Sequence, residues 1–181
     1  MTFFANRYDL ARHHRLAKWP FFALLLLGIV PSDSAAEIVR DTNPSPAIIL
    51  GSVKLPPGAE IVMVSGQLAS PIDPATTGTI EAYGDTQTQT ISIFQKIEIL
   101  LARQGYEMSD IVKLTVFVVG DPKLGGKMDF AGFNDGYRQF FGTSENPNLV
   151  ARSTVQVAAL VGPGFLIEIE AIAAKAPPQV R

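Results

Sequence analysis

No cysteine occurs in the 181 residues, and the only histidines, His13 and His14, stand side by side near the start. Everything after residue 14 is therefore without disulfides, thiolate nucleophiles, imidazole or thiolate zinc centres and Ser-His-Asp triads. A surplus of positive charge is missing too: fifteen Lys and Arg face seventeen Asp and Glu, for a net charge of −2. A nucleic-acid surface normally carries a basic excess, so no nucleic-acid partner is expected. Nor is a metal or cofactor expected.

The first 36 residues have the pattern of an export signal. Arg7, Arg12, Arg15 and Lys18 form a basic region, Phe21 to Val30 is apolar, and Pro31-Ser32-Asp33-Ser34-Ala35-Ala36 ends in small residues. The apolar run is about half of the ~20 residues that cross a bilayer, so no stable membrane span is expected after cleavage. Removing residues 1–36 takes away four cations together with Asp9 and Asp33, turning −2 into −4. The expected organisation is a signal peptide over 1–36 and one domain over 37–181, periplasmic or secreted. A hydrophobic content of 47% over this length suits a single packed core.

Periodicity outlines the domain. Glu60–Val64 reads as a strand stopped by Ser65-Gly66-Gln67, and the turn residues Pro56-Pro57-Gly58 let 47–53 fold back on it as a hairpin. Asp85 reads as the N-cap of a helix whose apolar face is Ile93, Phe94, Ile97, Leu100 and Leu101, with Gly105 as its stop. Ile111–Val119 is rich in β-branched residues and reads as a strand. Phe130, Phe133, Tyr137, Phe140 and Phe141 recur at helical spacing and predict a second amphipathic helix whose aromatic face is core. Arg152–Leu160 and Phe165–Ala173 predict two last strands joined by a reversal at Gly162-Pro163-Gly164.

Two one-faced helices should cover one side of a mixed sheet of five or six strands. In the last strand Phe165, Ile167, Ile169 and Ala171 share one side, whereas Leu166, Glu168, Glu170 and Ile172 share the other. The mixed side suits a subunit interface with polar clefts. Arg152, Glu168 and Glu170 stand on otherwise apolar strands, where a charge must be paired, exposed or used. Arg152 and Glu168 are expected on adjacent strands, as a functional pair in a shared crevice or as a cross-strand ion pair.

Several segments together resemble the RidA (YjgF/YER057c) family across nearly all of the domain. They are Val64-Ser65-Gly66-Gln67, the helix from Gly84 with Thr86, Gln87 and Thr88, Asp110–Val118, Phe133-Asn134, Ala151-Arg152-Ser153 and Ile167–Ala173. The resemblance implies an α+β, chorismate-mutase-like fold, a homotrimer, and clefts between subunits that take a small carboxylate. It further implies hydrolysis of reactive imines and enamines of amino acids to 2-keto acids and ammonia. Arg152 matches the family arginine that grips the substrate carboxylate, and Glu168 matches the glutamate that positions or activates water. Ser65, Gly66, Phe117, Asn134 and Thr154 match further substrate-binding positions.

Two departures bear on the activity. Thr154 stands where many members have cysteine, which excludes cysteine-dependent chemistry there and leaves hydrolysis open. Where the family usually carries a Gly-Pro-Tyr-Ser-Gln-like segment, this chain reads Pro46–Val53, with Ile49 or Leu50 in place of the tyrosine, which makes the cleft more apolar. The loop Asp121–Lys127 is longer than usual. A non-catalytic trimeric binder of small carboxylates is the alternative to the deaminase.

Overall fold

The computed structural model describes residues 36–178. The leader expected over 1–36 lies outside the described residues except for Ala36. Seven strands and three helices follow in the order β1 (Val39–Thr42), β2 (Leu50–Lys54), β3 (Glu60–Leu68), α1 (Ile80–Tyr83), α2 (Thr86–Arg103), β4 (Ile111–Asp121), β5 (Lys127–Met128), α3 (Phe130–Tyr137), β6 (Ala151–Val157) and β7 (Ile167–Lys175). Six strands form one mixed sheet in the order β1-β2-β6-β4-β7-β3, and β5 pairs with the end of β4. The fold is thus α+β with the helices against one face, as the periodicity predicts.

Alternation along β4 decides which face is which. Leu114, Val116 and Val118 are fully buried and point toward the helices, while Lys113, Thr115, Phe117 and Val119 lie on the opposite, open face and are only partly buried. In β7, Ile167, Ile169, Ala171 and Ala173 join the helix side, where they pack with Ile93, Phe94, Ile97 and Leu101 of α2. This is the side division expected from the sequence.

Helix starts follow their caps. Asp85 accepts from Thr88 N at 2.8 Å and Asp129 accepts from Gly132 N at 2.8 Å, each satisfying a first-turn donor. The aromatic run after Asp129 is helical only to Tyr137. Phe140 and Phe141 continue in turns, still packed on Phe94 with centroids 5.1 and 5.4 Å away.

Three pairings differ from expectation. Residues 50–54 do not fold back on β3: β2 pairs antiparallel with β1 and touches β6 in parallel at Leu50 and Ala151, while β3 sits at the far edge against β7. The turn at Pro56-Pro57-Gly58 reverses the chain without choosing which strand receives it. The predicted stop at Ser65-Gly66-Gln67 is a bulge instead, because the register slips between Val64 and Gln67 and the strand runs on to Leu68. Finally, β6 and β7 are not neighbours, because β4 inserts between them, parallel to β6 and antiparallel to β7.

A buried amide locks the sheet to α2. Gln89 is fully enclosed, donates through Nε2 to Gly84 O at 2.9 Å and Gly164 O at 3.0 Å, and accepts from Leu166 N at 2.9 Å. Gln89→Leu would leave three backbone groups unpaired, each worth about 1 kcal/mol or more when buried. A loss of about 3 kcal/mol is expected, lowering the thermal midpoint by on the order of 10 °C in a differential scanning experiment. Among the described residues no helix is long and apolar enough to cross a membrane.

Candidate functional site

Strand register places the seven candidate residues on two sides of the sheet. Arg152 is opposite Leu114, and Thr154 opposite Val116, so both point toward α3. Phe117 is opposite Glu168, so both point to the open face. Paired residues on neighbouring strands share a face, and β4 separates β6 from β7, so Arg152 and Glu168 stand about 10 Å apart between strand axes and on opposite faces. The expected adjacency of the two within one chain is therefore corrected, and no ion pair joins Arg152 to Glu168 or Glu170. A shift of one residue in strand parity, invisible in the sequence, separates them.

The first group lies beneath α3. Arg152 Nη2 donates to Asn134 Oδ1 at 2.9 Å, and Asn134 is itself buried. The guanidinium carbon is 4.7 Å from the Phe133 ring centroid, 4.6 Å from that of Tyr137 and 5.8 Å from that of Phe130. Burial pushes the Arg152 pKa below its ordinary value. Burial also raises the Tyr137 hydroxyl, with the Arg152 charge pulling it back. Nη1 of Arg152 and Oγ1 of Thr154 are both enclosed without a hydrogen-bond partner. Of the five N–H donors of a guanidinium, one is engaged by a side chain, and no carboxylate of the described residues pairs with it. Enclosing a cation without a counter-charge is costly, and an incoming anion relieves that cost.

The second group surrounds Glu168. A Cβ on Gly66 would overlap Glu168 Oε1, so any larger residue at the bulge of β3 would displace that carboxylate. Phe117 flanks the carboxylate from β4 and is half-buried. Next to them a pocket of about 240 Å³ is lined by Met63, Ser65, Lys113, Thr115, Glu170 and Ile172. Lys113 Nζ donates to Ser153 Oγ at 3.0 Å across the same face. Large apolar side chains are exposed there, with Met63 at 76% and Val155 at 45%.

The segment 46–53 meets β6 at the residue before Arg152. Leu50 is buried, its N–H donates to Val150 O at 2.9 Å, and it is paired with Ala151, the residue before Arg152. By the same pairing rule Leu50 shares the open face with Ala151 and Lys113, on the opposite side of the sheet from the Arg152 side chain. The loop 121–127 is held rigid: Gln156 accepts from Met128 N and donates to Gly126 O, both at 2.9 Å. It forms one wall of a cleft of about 630 Å³ that also includes Phe130, Asn134 and Arg138. Phe133 and Tyr137 read as core from the sequence, and they are, yet they also face Arg152. Their spacing of four on a helix was legible; that the arginine lies under them was not.

Among the described residues no cluster of three or more His, Cys, Asp or Glu is placed to hold a metal. A family model described as Endoribonuclease L-PSP matches residues 56–175. A RutC family protein of Haemophilus influenzae is 36% identical over 137 residues, covering 74% of this chain and 94% of the relative. A 2-iminobutanoate/2-iminopropanoate deaminase of Salmonella typhimurium is also 36% identical, over 134 residues, with 74% and 94% covered. Among solved structures, a Rid-family protein of unknown function from Yersinia pestis superposes with a TM-score of 0.57 at 25% identity, covering 75% of this chain and 98% of that one.

Proposed function

Starting from the fact that this chain belongs to the RidA/YjgF family described as Endoribonuclease L-PSP, we propose that it hydrolyses reactive imines and enamines of amino acids to 2-keto acids and ammonia. The observation that carries the reading is an enclosed, carboxylate-free Arg152 with unspent donors in a chain 36% identical to a named 2-iminobutanoate/2-iminopropanoate deaminase. Because Arg152 and Glu168 occupy opposite faces, the complete site needs two copies: one supplies Arg152, Asn134 and Thr154, the other Ser65, Gly66, Phe117 and Glu168. A homotrimer of chorismate-mutase-like arrangement, in which the Arg152 side of one copy meets the Glu168 side of the next, would meet that need and could also cover the exposed Met63 and Val155.

In this scheme the substrate carboxylate docks on the guanidinium, whose donor edge suits two parallel charge-assisted bonds. Glu168 takes a proton from water as the water oxygen bonds to the imine carbon and the C=N π bond opens, and that proton goes to nitrogen to give a carbinolamine. The hydroxyl proton then passes to nitrogen as the remaining carbon–nitrogen bond breaks and the carbonyl forms. One water is consumed, one ammonia leaves, and no electrons are exchanged. The acidic balance of the domain favours a small metabolite over RNA, whatever the family description says. The leader pattern supports a periplasmic or secreted location, checked by sequencing the N-terminus of the fractionated protein.

The direct test is ammonia release from 2-iminobutanoate or 2-iminopropanoate generated in place by an amino-acid oxidase. Acceleration by the wild-type protein supports the deaminase. Tight binding of 2-oxobutanoate with no acceleration assigns it to the non-catalytic binder. A smaller perturbation checks the open-face half of the site: Gly66→Ala should displace the Glu168 side chain and lower kcat by about 100-fold, as misplacement by an ångström does. The fold should survive, so circular dichroism is expected to be unchanged while turnover falls.

A further inference from the structure

Arginines used for anions are commonly oriented by carboxylates, which consume the donors they orient. Arg152 is held differently. Phe133 and Tyr137 stand four residues apart on α3, so they project from the same side of the helix, and both centroids lie within 4.7 Å of the guanidinium carbon. Their own centroids are 6.2 Å apart, so seen from that carbon the rings lie about a right angle apart and box it from two adjacent sides. Both rings are essentially inaccessible to solvent, and Tyr137 in turn stacks on Phe141 at 4.7 Å with planes 16° apart. The bracket is thus braced by the core. Asn134, between the two rings in sequence, contributes one neutral acceptor to Nη2.

An aromatic face attracts the cation as a whole and fixes its position, yet it accepts little from the in-plane N–H groups. We propose that Phe133 and Tyr137 are positioning residues that set the guanidinium of Arg152 in one orientation without consuming any of its N–H donors. This deepens the deaminase reading and rests on Arg152 being its anion-binding group. The chemistry also defines the ligand: a carboxylate suits the site, whose net charge stays positive because the bracket is neutral. A carboxylate bracket would have cancelled it.

The test reads the arginine itself. In nitrogen-15 NMR of the full-length protein, the Nη–Hη signals of Arg152, identified by their loss in Arg152→Lys, are expected to be resolved because rotation is restricted. Phe133→Leu should broaden them and weaken binding of 2-oxobutanoate about five- to tenfold, the loss of one desolvated cation–π contact. Tyr137→Phe keeps the ring and should retain both signal and affinity. If Phe133→Leu fails to fold, Phe130→Leu provides the second arm, since Phe130 is 43% exposed and its more distant ring should contribute about twofold. Unchanged signals and affinity in the Phe133 and Phe130 variants overturn the bracket while leaving the anion site standing. Unchanged 2-oxobutanoate binding in Arg152→Lys would instead overturn the site reading beneath it.

Discussion

Mixing an Arg152→Ala variant with a Glu168→Gln variant is expected to restore about a quarter of wild-type turnover although neither variant has appreciable turnover alone. The reason is strand parity. Arg152 shares a face with Leu114 and Glu168 shares the other with Phe117, so in the proposed scheme a single chain holds only half a site on each side of its sheet. In a mixed assembly, a junction is competent when the copy giving the arginine carries Glu168→Gln and its neighbour carries Arg152→Ala. Random one-to-one assembly makes about one junction in four of that kind. The measurement is ammonia release after co-refolding the two variants, compared with simple mixing of preformed oligomers. Zero recovery after co-refolding would mean that both groups act from one chain, whereas turnover by Glu168→Gln on its own would mean that Glu168 is not needed. Glu168→Gln alone separates these: as the group that takes the proton from water it should lower kcat about 100- to 10,000-fold with 2-oxobutanoate affinity unchanged.

Arg152→Lys is the second large effect, with kcat/KM expected to fall about 100- to 1,000-fold. An ammonium keeps the charge but not the planar fork, so one of two charge-assisted bonds to the carboxylate is lost. A hydrogen bond to a charged group is worth about 1.5 to 3 kcal/mol, and the remaining bond is weakened because a point charge does not fit between Phe133, Tyr137 and Asn134. About 3 to 4 kcal/mol results, which gives the stated factor. The loss should fall mainly on KM and on 2-oxobutanoate affinity, since the carboxylate is gripped equally in the ground and transition states. The stability of the folded chain should fall modestly, because the ammonium is still an enclosed cation without a counter-charge and loses the planar packing on Phe133 and Tyr137.

Much of this architecture was open to reading before any coordinates. Asp85 announces its helix because a short acceptor before a run of helix formers satisfies first-turn donors, and it does so here. Asp129 caps α3 in the same way, a cap not among those expected from the sequence. The two sides of β7 follow from an alternation that a strand cannot escape. Other features resisted. Phe140 and Phe141 fit the helical period yet lie beyond the last helical turn, because packing on Phe94 rewards an aromatic ring in any backbone that delivers it. Ser65-Gly66-Gln67 has turn composition, but paired strand on both sides lets the chain absorb the extra residue as a bulge.

What the sequence determined alone was local: caps, periodicities, the sidedness of each strand, and the residue types that can grip a carboxylate and direct water without histidine or cysteine. Which strand lies beside which was decided only in three dimensions. Pro56-Pro57-Gly58 can send β3 anywhere its edge amides find partners, and they found β7 rather than β2. The insertion of β4 between β6 and β7 set the register on both flanks, and that register turned Arg152 toward α3 and Glu168 toward the open face. Side-chain parity within a strand has a period of two and is written in the chain, whereas parity between strands depends on hydrogen-bonded register over long sequence separations, which no local pattern encodes.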